Sequence, residues 1–178
     1  MGNYLNPGNS GFSGIRNDIY VDKSGLIGLI NQTIDTPRRL TCISRPRRFG
    51  KSFAAQMMCA YYDKTCDSRG LFDDLKIAED KGYREHLNRY DVIYLDMTEA
   101  IGGASVEEVV PYIQRNVIRE LTEQYPGVKS AEGFAAMLAN AVEAAGNKFI
   151  MIIDEWDAPI REAYGRPGLQ RKYLEFLR

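Results

Sequence analysis

The stretch Leu40–Ser52 constrains the fold of this chain more than any other part of the sequence. A short β-favouring run ends at a turn, and Gly50-Lys51-Ser52 then opens a helical pattern. This is the layout of a phosphate-binding loop, in which backbone N–H groups surround a phosphate and the helix N-terminus adds partial positive charge. We therefore expect Leu40–Ser44 to form a strand and residues 45–52 to bind the phosphates of a nucleotide.

Each residue type in this loop has its own expected part in phosphate binding. Gly50 lets the backbone come close, Lys51 is expected to reach the β- and γ-phosphates, and the Ser52 hydroxyl to bind Mg²⁺. Arg45 replaces the first glycine of the pattern G-x-x-x-x-G-K-[ST], so the match is imperfect. The predicted cofactor-binding residues are Arg47, Arg48, Phe49, Gly50, Lys51, Ser52 and Phe53. The alternative is a basic surface turn in front of an ordinary helix.

A second motif lies in Phe149–Asp157, where an apolar run leads into acids in the Walker B pattern. A buried strand presents such acids at its C-terminal edge, where open α/β sheets bind ligands, so we expect Asp154 to hold Mg²⁺. Glu155 is expected to orient and deprotonate the attacking water. The predicted catalytic residues are therefore Glu155 and Lys51, and the predicted metal ligands are Ser52 and Asp154. Taken alone, the pattern also fits an apolar strand that ends in solvated acids.

Composition describes an ordinary globular chain with a local concentration of positive charge. The 178 residues carry a net charge of −1, which gives no general attraction to nucleic acids or membranes. The basic run 38–51 nevertheless holds six cations and no acid, which favours a local anion site. Three scattered cysteines, with no long apolar run and no opening signal sequence, favour a reducing, cytoplasmic setting and no membrane partner.

The rest of the pattern alternates strands with helices, which predicts an α/β fold with a mainly parallel sheet. Residues 1–18 are expected to be an extended lead-in and residues 19–178 the domain. Val92–Met97 predicts a buried strand, whose Asp96 either serves the site or caps the next turn. The other expected elements are a β-favouring run at Ile19–Val21, a helix over Leu26–Ile30 capped by Asp22, an apolar helical stripe of Phe53, Met57, Met58 and Tyr61, an edge segment at Leu75–Ile77, a polar helix over 80–89, and amphipathic helices over Val106–Leu121 (with a Ser105–Glu108 capping box), Phe134–Val142 (ended by Gly146) and Leu169–Leu177.

Three motifs together resemble the bacterial AAA-ATPase-like family of the P-loop NTPase superfamily. They are Tyr20–Ser24, Ser44–Ser52 and Ile153–Asp157, and the opening Tyr4–Asn9 is similar as well. Arg45 is that family's own variant of the loop. The resemblance spans essentially the whole chain and implies a three-layer α/β/α sandwich, ATP with Mg²⁺ as cofactors, and coupling to a C-terminal PD-(D/E)XK nuclease-like domain that this chain lacks.

The same resemblance implies a sheet that is incomplete at the C-terminus. In that fold a further strand follows the Walker B strand in sequence and lies between the two motif strands. Adjacent strands lie about 4.8 Å apart, so its absence leaves unpaired backbone groups that cost about 1–3 kcal/mol each when buried. We therefore expect a truncated chain that is marginally stable, aggregates, or associates with a second polypeptide to complete the sheet.

The leading hypothesis is an ATP-binding module with Walker A at 45–52 and Walker B at 149–155. ATP hydrolysis is implied by the motifs and the resemblance, and truncation could abolish it. The alternative is a nucleic-acid-binding module that uses the basic run 38–51, with nucleotide binding but no turnover, and whose binding falls steeply with salt. Nucleic acid is also an expected partner through the absent nuclease-like domain. A small-molecule P-loop kinase fits less well, because the chain has no recognisable lid or acceptor site.

Overall fold

A computed structural model describes residues 2–44 and 50–178, which form two compact units. The first unit is Asn6–Val92, and the second joins Gly2–Leu5 to Ile93–Arg178. The helices of the first unit are α1 (Ser10–Arg16), α2 (Gly25–Asn31), α3 (Lys51–Tyr62), α4 (Arg69–Phe72), a 3₁₀ helix (Lys76–Glu79) and α5 (Tyr83–His86).

Helix α3 forms the centre of the first unit. Its side chains from Met57 to Tyr62 are all buried, because apolar and aromatic groups cover it on several sides. The Tyr61 ring packs edge-to-face on Phe72, with 5.4 Å between the ring centroids, and Phe12 of α1 stacks on the same ring at 5.0 Å. This aromatic cluster anchors the C-terminal end of α3 in the first unit.

The N-terminal part of this unit differs from the sequence prediction. Residues 1–18 were expected to be extended, but Ser10–Arg16 is helical and buries Phe12. One buried ring among glycines and serines gives no periodic pattern, so the sequence does not indicate this helix. The Ile19–Val21 run forms no strand, because no described segment pairs with it, and Ile19 is 92% exposed. The domain boundary at residue 19 stays a prediction.

Four further expectations for this unit are wrong in detail. The Leu40–Ser44 segment is not a strand, and Leu40 is 91% exposed, because β propensity forms no ladder without a neighbouring strand. Phe53 is exposed, unlike Met57, Met58 and Tyr61 of the same predicted stripe. The expected edge segment at Leu75–Ile77 leads instead into the 3₁₀ helix, and the polar helix over 80–89 is the single turn α5.

Asp22 does not cap α2 as predicted. Ser24 occupies the N-cap position, and Asp22 lies two residues before it. One carboxylate oxygen of Asp22 accepts from the Ser24 N–H at 2.7 Å, and the other accepts from the Lys76 N–H at 2.8 Å. Asp22 therefore ties the start of α2 to the start of the 3₁₀ helix, a long-range contact that local capping rules do not predict.

The second unit contains the sheet. Its elements are β1 (Asp91–Asp96, of which the first two residues belong to the first unit), α6 (Met97–Gly103), α7 (Val109–Gln124), α8 (Phe134–Ala145), β2 (Phe149–Asp154), α9 (Ala158–Glu162) and α10 (Pro167–Phe176). Strands β1 and β2 are hydrogen-bonded neighbours in a small parallel sheet, and the helices α6, α7 and α8 connect them. The core is formed by Ile93 and Leu95 of β1 with the buried stripe Ile113, Val117 and Leu121 of α7.

The predicted α/β class is confirmed, with both strands and the main amphipathic helices where the sequence indicates them. Gly146 ends α8 in the left-handed conformation, with φ of 60°, as expected for a helix stop. The Ser105–Glu108 capping box is not formed, because α7 begins only at Val109 and no side chain caps it. In the described part of the chain, no helix is both long and apolar enough to cross a membrane.

A buried carboxylate on α7 holds the N-terminal segment of the second unit. Glu120 accepts hydrogen bonds from the backbone N–H groups of Asn3, Tyr4 and Leu5 at 3.0, 2.9 and 2.9 Å. Leu5 also forms an antiparallel bridge with Ile93 of β1. The carboxylate thus satisfies backbone donors that would otherwise be costly to bury, and it fixes this segment beside the sheet.

Candidate nucleotide-binding site

The start of α3 lies in the first unit. Gly50 has φ of 74° and ψ of 35°, in the left-handed region, and its carbonyl accepts from the Ala54 N–H at 3.0 Å. Glycine adopts this conformation at no steric cost, and it supplies no side chain to cap the first-turn N–H groups. Those N–H groups are the donors that helix N-termini offer to phosphates.

The structure describes only some of the predicted cofactor-binding residues. Lys51 is half-buried, whereas Ser52 and Phe53 are exposed in the first turn of α3. An exposed hydroxyl and a half-buried ammonium at this turn match the chemistry of phosphate and magnesium binding. The predicted contacts of Arg47, Arg48 and Phe49 lie outside the described residues.

Asp154, the last residue of β2, lies in the second unit. Its side chain is buried, with 5% of its surface exposed, and Oδ1 accepts from the Glu155 N–H at 2.9 Å. Oδ2 is also buried and has no hydrogen-bond partner among the described residues. A buried acceptor without a partner costs about 1–3 kcal/mol, and a group that binds this oxygen would remove that cost.

The residues at the end of β2 fit Mg²⁺ as that group. A carboxylate oxygen is the hard ligand that Mg²⁺ prefers, and Mg²⁺ commonly takes only one or two carboxylates, with water and substrate phosphates completing its octahedron. No cluster of three or more His, Cys, Asp or Glu side chains suited to a metal occurs within the described ranges. A single carboxylate such as Asp154 fits Mg²⁺ only where phosphates and water supply the other ligands.

Glu155 is held in an uncommon backbone conformation beside Asp154. Its φ of 47° lies in the left-handed region, which for a residue other than glycine costs about 1–3 kcal/mol. Its carbonyl accepts from the Ala158 N–H at 2.8 Å, which closes the turn into α9. Strain of this size persists only where surrounding contacts enforce it, and such residues are concentrated at functional sites.

Arg161 of α9 bridges two acids that follow β2. One guanidinium nitrogen lies 3.3 Å from the Glu155 carboxylate, and another donates to the Asp157 carboxylate. The hydrogen bond to Asp157 raises the pKa of Arg161, so the guanidinium is a permanent cation beside Glu155. Tyr173 supports the same turn, since its hydroxyl donates to the Trp156 carbonyl at 2.7 Å and burial raises its pKa.

Asp96 lies at the end of the neighbouring strand, β1. Of the two roles that the sequence allows, serving the site or capping the next turn, it has the capping role. Its carboxylate accepts from the N–H groups of Thr98 and Glu99, at 2.8 and 3.1 Å, and so caps α6. Sequence reasoning missed Arg161 and Tyr173 altogether. The spacing of Asp157 and Arg161, four residues apart on a predicted helix start, is the only local signal for either of them.

The α/β fold, the glycine at the start of α3 and the acids at the end of β2 are consistent with the P-loop class of nucleotide-binding proteins. The family model described as "Predicted AAA-ATPase" matches residues 8–178, so the chain belongs to this AAA-ATPase-like family. Membership confirms the resemblance seen in the sequence, and it supports nucleotide binding in general.

One relative is an uncharacterised protein in the vnfD 5′ region of Azotobacter chroococcum mcd 1. It is 26% identical over 167 residues, which are 89% of this chain and 29% of the relative. The chain thus spans less than a third of that relative's length. No solved structure matches the chain.

Proposed function

We propose that this chain is the ATP-binding module of an AAA-ATPase-like protein, working with Mg²⁺ in the cytoplasm. Family membership supports nucleotide binding, and the buried Asp154 Oδ2 without a partner is the observation that carries the proposal. A buried carboxylate oxygen at the C-terminal edge of a parallel strand is costly unless a ligand completes it. ATP over GTP rests on the family alone.

In this proposal the described residues at the start of α3 bind the phosphates. The Gly50 backbone allows close approach, the Lys51 ammonium pairs with the β- and γ-phosphates, and the Ser52 hydroxyl is a ligand of Mg²⁺. Asp154 is also a proposed ligand of Mg²⁺, directly or through water. Bound Mg²⁺ would neutralise developing phosphate charge.

Glu155 is the proposed general base for hydrolysis. An acid directly after the Walker B aspartate can orient water and accept its proton, which ATP hydrolysis requires and phosphoryl transfer to another substrate does not. Its strained backbone supports a functional role, because residues with strain of this kind are concentrated at functional sites. ATP hydrolysis is a separate claim from ATP binding, and the two are tested by separate assays.

The test is calorimetric titration with ATP and Mg²⁺, combined with a phosphate-release assay. We expect Lys51→Ala to weaken ATP binding by at least about tenfold, and Glu155→Gln to keep binding while turnover stops. Lys172→Ala, at an exposed position of α10, is the matched control and should change neither. Equal binding of ATP by wild type and Lys51→Ala would refute the site.

The second candidate function is nucleic-acid binding through the basic run 38–51. Arg38 and Arg39 are both exposed, which this role requires. Binding of a labelled oligonucleotide should then fall steeply with salt and weaken on the double change Arg38→Ala and Arg39→Ala. If Lys51→Ala weakens ATP binding while the oligonucleotide fails to bind even at low salt, the ATP-binding proposal stands alone.

We also propose that a second polypeptide completes the sheet at β2. Within the described residues β2 pairs with β1 alone, and Met151 in its middle is 39% exposed. An open strand edge is a template for further pairing. Analytical ultracentrifugation should find self-association of the purified chain, whereas a monomer with a sharp, reversible melt would contradict this proposal.

A further inference from the structure

The motif Tyr20–Ser24 has no role in the function proposed so far, although it is part of the family resemblance. The structure places one of its residues against the start of α3. A Cβ built on Gly50 would lie 2.7 Å from the Lys23 ammonium nitrogen and 3.9 Å from the adjoining Cε. The ammonium therefore occupies the space where any other residue at position 50 would carry its side chain.

The backbone on both sides of Lys23 is fixed by long-range hydrogen bonds. Asp22 binds the Ser24 and Lys76 N–H groups, and the fully buried Ser24 hydroxyl accepts from the Ile77 N–H at 3.0 Å. The Lys23 N–H donates to the Tyr20 hydroxyl at 3.3 Å. Lys23 itself is exposed. A rigid turn thus presents a long cationic side chain towards Gly50.

Gly50 therefore has two lysines as neighbours. Lys51 follows it in sequence, and Lys23 lies close to it in space. A lysine ammonium offers three donors and no acceptor, so it suits the oxygens of a phosphate. The glycine's missing side chain has a second consequence here, because it leaves room for the Lys23 ammonium beside the backbone.

We propose that Lys23 is a second phosphate-binding cation of this site, which contacts the polyphosphate of the nucleotide bound at Gly50–Ser52. The proposal rests on the ATP-binding function proposed above and adds a residue to it. It also assigns a role to the Tyr20–Ser24 motif, whose Asp22 and Ser24 hold the lysine in place and whose Lys23 contacts the ligand.

The first test compares ATP affinities of matched variants at several salt concentrations. Lys23→Ala should weaken binding by about tenfold, the lower end for a charge-assisted hydrogen bond, and make the salt dependence shallower. Lys23→Arg should retain most of the affinity, because it keeps the charge. Lys81→Ala, at another exposed lysine of the same unit, should bind like wild type. A purely structural role for Lys23 would lower the melting temperature and leave the affinity of the folded fraction unchanged.

The second test uses the unmodified chain, so it does not depend on whether a variant folds. Saturating ATP with Mg²⁺ should shield Lys23 from a lysine-acetylating reagent, as measured by mass spectrometry, while acetylation of Lys81 stays the same. If Lys51 is shielded and Lys23 is not, and Lys23→Ala binds normally, this inference is overturned and the ATP-binding proposal survives. If neither lysine is shielded and Lys51→Ala binds normally, the ATP-binding proposal itself fails.

Discussion

The Arg161 guanidinium lies 3.3 Å from the Glu155 carboxylate through Nη2 and donates to the Asp157 carboxylate through Nη1. This bridge joins the residue after the end of β2 to the first turns of α9. Both side chains of the Arg161–Glu155 pair are partly exposed, so the pair adds only about 0–1 kcal/mol to stability. Its consequence lies instead in the orientation of the carboxylate, which the bridge restricts.

We predict that Arg161→Ala lowers ATP turnover by about tenfold with little change in ATP affinity. Without the guanidinium, the Glu155 carboxylate can take several rotamers. General-base catalysis contributes a rate enhancement of roughly 10²–10⁴-fold, and a misplaced base loses part of it. The melting temperature should move little, because the ion pair is exposed. Arg161→Lys should restore part of the rate. A variant as active as wild type would show that the bridge has no positioning role.

Asp154→Asn should separate folding from cation binding. The change removes a negative charge from a buried position and keeps an oxygen for the Glu155 N–H, so the unfolding free energy without Mg²⁺ should stay within about 1 kcal/mol of wild type. The unfolding free energy of the wild type should rise by about 2.7 kcal/mol when MgATP is present at 100 times its Kd. We expect the Mg²⁺-dependent part of that gain to vanish in the variant, as measured by melting with ATP in the presence of Mg²⁺ or of a chelator. A gain that is independent of Mg²⁺ in both proteins would contradict a metal role for Asp154.

Glu120 should be among the most sensitive positions for stability in the second unit. Glu120→Ala leaves the N–H groups of Asn3, Tyr4 and Leu5 without their acceptor, and we predict a loss of about 3–5 kcal/mol in urea unfolding. Glu120→Gln keeps one acceptor oxygen and should lose less. The control is Glu123→Ala, an exposed position on the same helix, with an expected change below about 0.5 kcal/mol. Equal effects at both positions would show that the N-terminal segment does not depend on Glu120.

Acid should destabilise the first unit partly through Asp22. Burial alone raises the pKa of Asp22, but the N–H groups of Lys76 and Ser24, with help from Arg16, lower it below its ordinary value of 3.8. A lowered folded-state pKa stabilises the fold above the ordinary value, and that stabilisation is lost as pH falls through the lowered pKa. Asp22→Asn should therefore unfold with a weaker pH dependence below about pH 4 than wild type. Denaturant midpoints across this range provide the measurement, and identical slopes for both proteins would count against it.

The sequence predicts what depends on runs and periodicity. The apolar runs before Asp96 and Asp154 become β1 and β2, and the stripe Ile113, Val117 and Leu121 becomes the buried face of α7. These patterns are strong because burial selects the same residue types along a whole element. The sequence also places Gly50 at the helix start, since few other residues suit a left-handed cap.

Several features that the sequence does not predict depend on partners far along the chain. Helix α1 is held by the ring of Phe12 on Phe72, and Glu120 meets N–H groups more than 100 residues away. The Leu40–Ser44 run has the propensity for a strand but no described partner, so propensity alone was misleading there. The approach of Lys23 to Gly50 likewise depends on contacts with the 3₁₀ helix that no local pattern reveals.

Substitutions at Gly50 should distinguish backbone strain from the space that Lys23 needs. Gly50→Ala introduces a Cβ at 2.7 Å from the Lys23 ammonium and strains a backbone with φ of 74°. The ammonium is the end of a flexible side chain and can move, so the stability loss of about 1–2 kcal/mol should come from the backbone. Adding Lys23→Ala should therefore not restore stability. Gly50→Asn carries the same Cβ but tolerates the left-handed region better, so it should lose less stability than Gly50→Ala while ATP binding weakens as much. Calorimetric titration and urea unfolding of these variants separate the two effects, and full recovery of stability in the double variant would show that the clash dominates.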